Sequence, residues 1–424
     1  MSVFSRSRGK VVGGIAVVGV GALFLAGCAG SGGDTESSAP AAEAGEEMTL
    51  TIGTALPQTG NLAFLGPPEE AGVAYATAQI NEATADTGLT LDVIYGDSGD
   101  TDNKAYETEI PRLLGEGVSA IIGAASSGTS LQFIDQVVGA GVIQFSPANT
   151  SDAFTTYDDN GLYFRTAPSD VLQGEVLGNL IAEDGNQTLG MIVLNDSYGT
   201  GLAGYVTEAF EAAGGEVVAA PTYNTGDTSF DAQISEVVAA DPDAIALITF
   251  EEVTTILPSL FGQIPSDKLY FVDGNLSNFG DQFPAGSLTG AKGTLPGLTI
   301  DSIAAFTDEL DAFLEAEGIA ALEEYSYAAE SYDATILLAL ASLAAGSTDS
   351  AAIAEKLIEV SGGSGDGESC SSYAECAEII LGGGVADYDG VSGPITFDEV
   401  GDPTEASIGI YEFGDDNTYA AYEG

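Results

Sequence analysis

The chain has 424 residues, 45% of them hydrophobic, which is apolar material enough for two domains with their own cores and too much for a disordered acidic chain. Nine Lys and Arg stand against 65 Asp and Glu, a formal charge of −56, so no basic patch can grip phosphates and a nucleic-acid partner is ruled against. With no His and no Trp, Ser-His and Cys-His catalysis and His-built zinc sites fall away too. Such acidity keeps a protein soluble and monomeric, and it fits halophilic adaptation or an acidic bias in the source.

Residues 1–28 read as an export signal. Arg6, Arg8 and Lys10 precede an apolar run from Val11 to Leu25, too short to span a bilayer comfortably. Leu25-Ala26-Gly27-Cys28 resembles a lipobox, the signal at which bacterial lipoproteins are cut before a lipidated cysteine, here Cys28. An ordinary signal peptide with a chance cysteine is the alternative. Residues 29–47, rich in Gly, Ser, Ala and Glu without apolar periodicity, read as a flexible tether.

The fold is expected to begin with an alternating strand at residues 48–53. Pro67 and Pro68 introduce a helix over 69–81, as Pro favours a first turn; a strand follows at 91–95 and a helix at 104–114. Residues 120–152 hold the candidate site. Ala120-Ile121-Ile122 is a short buried-strand run ended by Gly123. Ser126, Ser127, Gly128 and Thr129 then offer hydroxyls and backbone N–H groups where a helix starts. Leu131, Ile134, Val137 and Val138 give that helix one apolar stripe. Gly139 and Gly141 stop it, and Val142-Ile143-Gln144-Phe145 resumes a strand running into Ser146-Pro147-Ala148-Asn149-Thr150, expected to open another helix. Two strand tips would thus deliver helix N-termini and hydroxyls to one sheet edge, a site for a small carboxylate or phosphate. The plainer reading is that these residues only cap helices.

Strand-like Leu162 to Arg165 leads into expected helices at 171–183, 202–213, 230–239 and 253–263, alternating with strands at 189–194, 216–220, 244–249 and 269–272. That alternation means α/β architecture, parallel sheet with helices on both faces, here as two sheets with a break near Thr166-Ala167-Pro168. A long helix over 325–345 would turn Tyr332, Ile336, Leu340 and Leu343 inward. A Gly/Ser loop at 362–372 carries Cys370, and Cys376 follows closely; in an exported chain such a pair reads as a disulfide.

Two motifs are weaker than they look. Gly199-Thr-Gly-Leu-Ala-Gly204 matches a dinucleotide fingerprint, but Asn195 to Tyr198 separate it from the strand and Asp196 would repel a pyrophosphate. Asp97-Ser-Gly-Asp-Thr-Asp102 resembles a calcium loop without the Gly and terminal Glu of EF-hand spacing, and reads better as a loop capping the next helix.

Several segments, in order, resemble one family. They are Gly53-Thr-Ala-Leu-Pro57 with Thr59-Gly60, Ala78-Gln-Ile-Asn81, Gly123-Ala-Ala-Ser-Ser-Gly128, Ser146-Pro-Ala-Asn-Thr150, Asn195-Asp-Ser-Tyr-Gly199 and, most specific, Tyr388-Asp-Gly-Val-Ser-Gly-Pro-Ile-Thr-Phe-Asp398 followed by Gly401-Asp402. Over about residues 48–424 the chain resembles the branched-chain amino-acid (Leu/Ile/Val) receptors of ABC transporters, which are type 1 periplasmic binding proteins. The resemblance implies two doubly wound parallel-sheet lobes joined by a three-crossing hinge, with ligand clamped between them. Crossings are expected near Thr166-Ala167, Pro296-Gly297 and Val391-Ser392-Gly393. Lobe one then comprises residues 48–166 and 297–392, and lobe two 167–296 and 393–424.

Carried over by residue, the resemblance implies that Ser126 and Thr150, with Ser127, Asn149 and the backbone N–H of Ala148, hold the ligand carboxylate. Tyr198 would close from lobe two, and Asp273, or Glu251 after Phe250, would hold the ammonium. Leu65 stands where relatives carry a larger aromatic. The implied protein is an extracytoplasmic, membrane-anchored lipoprotein that binds a branched-chain or apolar amino acid and passes it to an ABC permease. It would work as a monomer and need no cofactor or metal. The same fold reading a urea, an amide or an aromatic acid, or serving as a sensor domain, stays open. So does an exported hydrolase built on carboxylates, since 65 acids make chance pairs inevitable.

Overall fold

The structure, a computed structural model, describes residues 47–422. The expectations for the export signal, the lipidated Cys28 and the tether up to residue 46 lie outside the described residues.

The first part of the chain runs β1 (Met48–Ala55), α1 (Gly66–Glu82), α2 (Thr84–Thr87), β2 (Leu89–Ile94), α3 (Tyr106–Glu116), β3 (Ala120–Gly123), α4 (Ser127–Gly139), β4 (Ile143–Ser146) and β5 (Tyr163–Arg165). These strands form one sheet in the order β2-β1-β3-β4-β5, all parallel. β3 and β4 are buried at every position, which is why each reads as a short unbroken apolar run rather than an alternation. Gly123 ends β3 at φ +118, and a Cβ there would sit 2.2 Å from the Ala55 carbonyl oxygen, so only glycine lets β1 and β3 deliver their loops side by side.

The chain then builds α5 (Asp170–Glu183), β6 (Thr188–Leu194), α6 (Ser197–Ala212), β7 (Glu216–Ala219), β8 (Thr222–Tyr223), α7 (Asp231–Ala239), β9 (Ala244–Ile248), α8 (Val253–Leu260), β10 (Leu269–Phe271) and β11 (Lys292–Pro296). It returns to the first sheet's layers with α9 (Ala304–Glu317), α10 (Ala328–Ala345), α11 (Ser350–Val360), β12 (Glu368–Cys370), α12 (Tyr373–Leu381), β13 (Ala386–Gly390) and β14 (Gly393–Pro394). β15 (Ile408–Phe413) and β16 (Tyr419–Ala421) finish the second sheet, whose order is β16-β15-β11-β10-β9-β6-β7 with β8 beside β6.

Two expectations need correction. The second sheet is not wholly parallel: β15, returning after the first lobe's helices, runs antiparallel to β11, and a hairpin turn with Asn417 at φ +58 sets β16 antiparallel to β15. The third crossing does not fall at 391–393. Ile395 and Phe397 are buried in the first lobe's core, the Phe397 ring 5.8 Å from Phe145 and 5.6 Å from Phe164, and the Thr404 N–H still donates to the Thr396 carbonyl, so the chain crosses between Thr404 and Ile408. A small sheet of β12, β13 and β14 in the first lobe had no sequence-based expectation.

α10 is the spine of the first lobe. It starts at Ala328 rather than 325, since Tyr327 before it is left-handed at φ +60. It is the one helix among the described residues long and apolar enough to cross a membrane, but 89% of that stretch is buried inside the protein, packed on α1, α11 and α12. Cys370 and Cys376 are disulfide-bonded, tying β12 to α12.

Candidate ligand-binding site

The tips of β3 and β4 lie side by side, and the residues after them are knitted together. The Ser146 hydroxyl donates to the Ala124 carbonyl at 2.7 Å and accepts the N–H groups of Ala148 (3.2 Å) and Asn149 (2.9 Å). The Asn149 amide donates to the carbonyls of Ala124 and Ala125 at 3.0 and 2.8 Å, and its oxygen accepts from Tyr163 at 3.1 Å. Asn149 is therefore a brace between the two loops, not a group turned to a ligand. The second loop opens only a 3₁₀ turn, Asp152–Phe154, capped by Ser151, and not the helix expected there.

Ser126 is the N-cap of α4, its hydroxyl accepting the Thr129 N–H at 3.2 Å. Ser127 accepts the Ser151 N–H at 3.3 Å. The capping reading thus holds, yet each hydroxyl keeps its own hydrogen for a further acceptor. Both serines line a cavity between the lobes with Leu62, Leu65, Ala125, Ala148, Tyr198, Phe250, Asp273, Gly274 and Tyr327. The cavity measures about 10 Å³, barely one water's space and too small for an amino acid as it stands.

Across from the serines, Asp273 is 5% exposed and held by neutral donors alone. Its Oδ1 accepts from the Tyr198 hydroxyl (2.7 Å) and the Gln173 amide (3.0 Å), and its Oδ2 from the Tyr327 hydroxyl (2.8 Å). Burial pushes this carboxyl above the usual range, and those same hydrogen bonds pull against the shift. A carboxylate has about four lone-pair positions, so one remains for a further donor. Tyr198 also stacks on Phe250, ring centres 5.3 Å apart, which makes one wall flat and apolar.

Of the residues expected in the site, Ser126, Ser127, Ala148, Tyr198, Phe250, Asp273 and Leu65 meet at the cavity. Asn149, Thr150 and Glu251 do not line it. The Thr150 hydroxyl is buried beside the Asp170 carboxyl, which burial and then Asp273 push well upward. Glu251 points to solvent; it is Glu252 that turns inward, accepting from Asn61 and Tyr223 at 3.1 Å each. The sequence reading missed Leu62, Tyr327 and Gln173, which reach Asp273 or the cavity from distant segments.

Other contacts join the lobes. Tyr205 donates to Asp152, the Asn61 amide to Glu252, and the Glu251 N–H to the Asn61 carbonyl at 3.2 Å. Behind the second loop, fully buried Arg165 pairs with Asp402 (2.6 and 2.8 Å) and donates to the carbonyls of Asn149 (3.3 Å) and Ser151 (2.8 Å).

The motifs set aside have structural roles. Asp196 caps α6 through the Gly199 N–H at 2.8 Å, and a Cβ on Gly199 would come within 2.2 Å of the Leu194 carbonyl oxygen. Asp97 and Asp100 are engaged by backbone N–H groups of Gln58, Thr59, Gly99, Asn61, Asp102 and Asn103, fixing the loop below α1. Among the described residues no group of three or more acidic or Cys side chains is arranged to hold a metal.

The family described as periplasmic binding protein matches residues 49–368. The Leu-, Ile-, Val-, Thr- and Ala-binding protein of Pseudomonas aeruginosa is 32% identical over 194 residues, 45% of this chain and 51% of that protein. The chain spans about half the length of the curated relatives it matches first. The branched-chain amino-acid binding protein LivJ of Streptococcus pneumoniae, solved with isoleucine, superposes with a TM-score of 0.67 at 22% identity, covering 88% of this chain and 99% of that one. A solute-binding protein of R. palustris in complex with benzoate gives a TM-score of 0.67 at 19% identity, covering 88% and 95%.

Proposed function

Because this chain belongs to the periplasmic binding protein family, we propose that it is the solute receptor of an ABC transporter, closing on a small amino acid with a branched or otherwise apolar side chain. The observation that carries this is the pairing of Asp273, held only by neutral donors, with the Ser126 and Ser127 hydroxyls across an apolar cavity. A zwitterion needs an acceptor for its ammonium and donors for its carboxylate, and Leu62, Leu65 and Phe250 offer nothing polar to a side chain between them. A P. aeruginosa relative named for Leu, Ile, Val, Thr and Ala supports the same class. An amine-free acid such as the benzoate of the R. palustris protein would leave Asp273 facing a second negative charge.

Closure is a hinge motion of two lobes, residues 48–166 with 297–404 and residues 167–296 with 405–424, driven by ligand contacts to both. The receptor is extracytoplasmic, anchored by a lipid on Cys28, and hands its ligand to a membrane permease without chemical change. A thermal-shift panel of amino acids, amides, urea and aromatic acids tests the reading. Apolar amino acids should raise the midpoint by mass action, and Ser126→Ala with Ser127→Ala should weaken them about tenfold or more through lost charge-assisted bonds. Stabilisation by aromatic acids alone, or turnover of any panel member, would refute it.

A further inference from the structure

We propose that Glu324, Ser326, Ser277 and Tyr419 form a binding site for one monovalent metal cation at the seam between the lobes, apart from the ligand cavity. Glu324 is 7% exposed and Ser326 1%, and neither the two carboxylate oxygens nor the Ser326 hydroxyl has a hydrogen-bond partner. Such a group costs free energy unless something electropositive meets it. No Lys or Arg of the ion pairs among the described residues reaches Glu324. Ser277 interacts with the Glu324 carboxyl and Ser326 with the Tyr419 phenol, both short of full hydrogen-bonding geometry. The side chains therefore present oxygen alone, the donor set of hard cations.

One carboxylate matches one positive charge; a divalent ion would leave a buried surplus. Glu324 and Ser326 belong to the segment that enters α10 of the first lobe, whereas Ser277 follows β10 and Tyr419 lies in β16 of the second. A bound cation would therefore bridge the lobes. Ser326 adjoins Tyr327, so the cation and the cavity ligand share a chain segment, and each should favour the other's binding.

The competitor is a proton, which would satisfy the same carboxyl without a metal.

The experiment is thermal unfolding of the full chain in sodium or potassium chloride against tetramethylammonium chloride at equal ionic strength, at about pH 9 and about pH 6.5. Sodium or potassium should raise the midpoint saturably, more at the higher pH. The response should persist in Glu323→Gln, which removes an exposed neighbouring charge, and vanish in Glu324→Gln. In Ser326→Ala the half-saturating concentration should rise about tenfold. The same cation response in Glu324→Gln as in the parent overturns the proposal. So does a stability that follows pH but not cation identity, since the proton then suffices. If Glu324→Gln fails to fold, Ser326→Ala decides, and an unchanged half-saturation overturns the site.

Discussion

Replacing Asp273 by Asn tests the ammonium end of the cavity with almost no change of shape. In the parent, three neutral donors at 2.7–3.0 Å surround the carboxylate. A ligand ammonium on the remaining lone pair makes a charge-assisted bond, worth about 1.5–3 kcal/mol, so Asp273→Asn should raise Kd for an apolar amino acid roughly 10- to 150-fold. The corresponding acid without its amine has no such bond to lose, and its affinity should hold within about twofold or improve. Asp273 must ionise to hold the ammonium, and burial raises its pKa. Affinity of the parent should therefore fall as the pH drops through that raised value, and the variant should lack this dependence. Titration calorimetry of both ligands against both proteins over a pH series reads every term. Equal loss for the amino acid and its amine-free analogue would refute the reasoning, because the carboxamide would then be disturbing the cavity rather than withdrawing a charge.

Stability should fall as pH rises. Burial raises Asp196 and Asp333 to about 6 and Glu330 to about 8, all above their unfolded values. Each folded group binds its proton more tightly than the unfolded chain does, so its stabilising contribution is complete below about pH 4 and is lost as pH passes the folded value. The thermal midpoint near pH 5 should exceed that near pH 8.5, and Glu330→Gln should narrow the difference; a midpoint that climbs with pH contradicts this. Tyr205→Phe and Asn61→Ala each remove a bond made only when the lobes meet, so each should weaken all ligands by one common factor of roughly 2 to 12. Unequal factors across the panel would mean that these residues touch the ligand. Arg165→Met should cost about 3–5 kcal/mol in denaturant unfolding by stranding Asp402, and Arg165→Met with Asp402→Leu should recover most of it. A loss under about 1 kcal/mol would show that the pair is no clamp.

The strand tips were legible because burial on both faces writes β3 and β4 as bare apolar runs, and a serine N-cap marks where α4 begins. Hydroxyl chemistry, however, does not announce its partner. Ser126 and Thr150 look alike in sequence, but only Ser126 lines the cavity, while Thr150 lies beside Asp170. Asn149 could serve a ligand or a loop, and two carbonyls in reach gave it to the loop. Glu251 and Glu252 differ only in which side of the turn after β9 they occupy. Tyr327 was invisible for another reason: it reaches Asp273 from a bulky residue at φ +60, a conformation that no local propensity predicts. The third crossing was expected near Val391-Ser392-Gly393 from resemblance alone, and no local signal shows that Phe397 packs on Phe145 and Phe164, far earlier in the chain.

That last contact bears on how the polypeptide matures. The first lobe's interior closes only when segments from both halves of the chain meet, whereas the parallel core of the second is finished within one uninterrupted stretch. A nascent chain emerging from its N-terminus therefore holds the earlier lobe incomplete until nearly all of the sequence has been made.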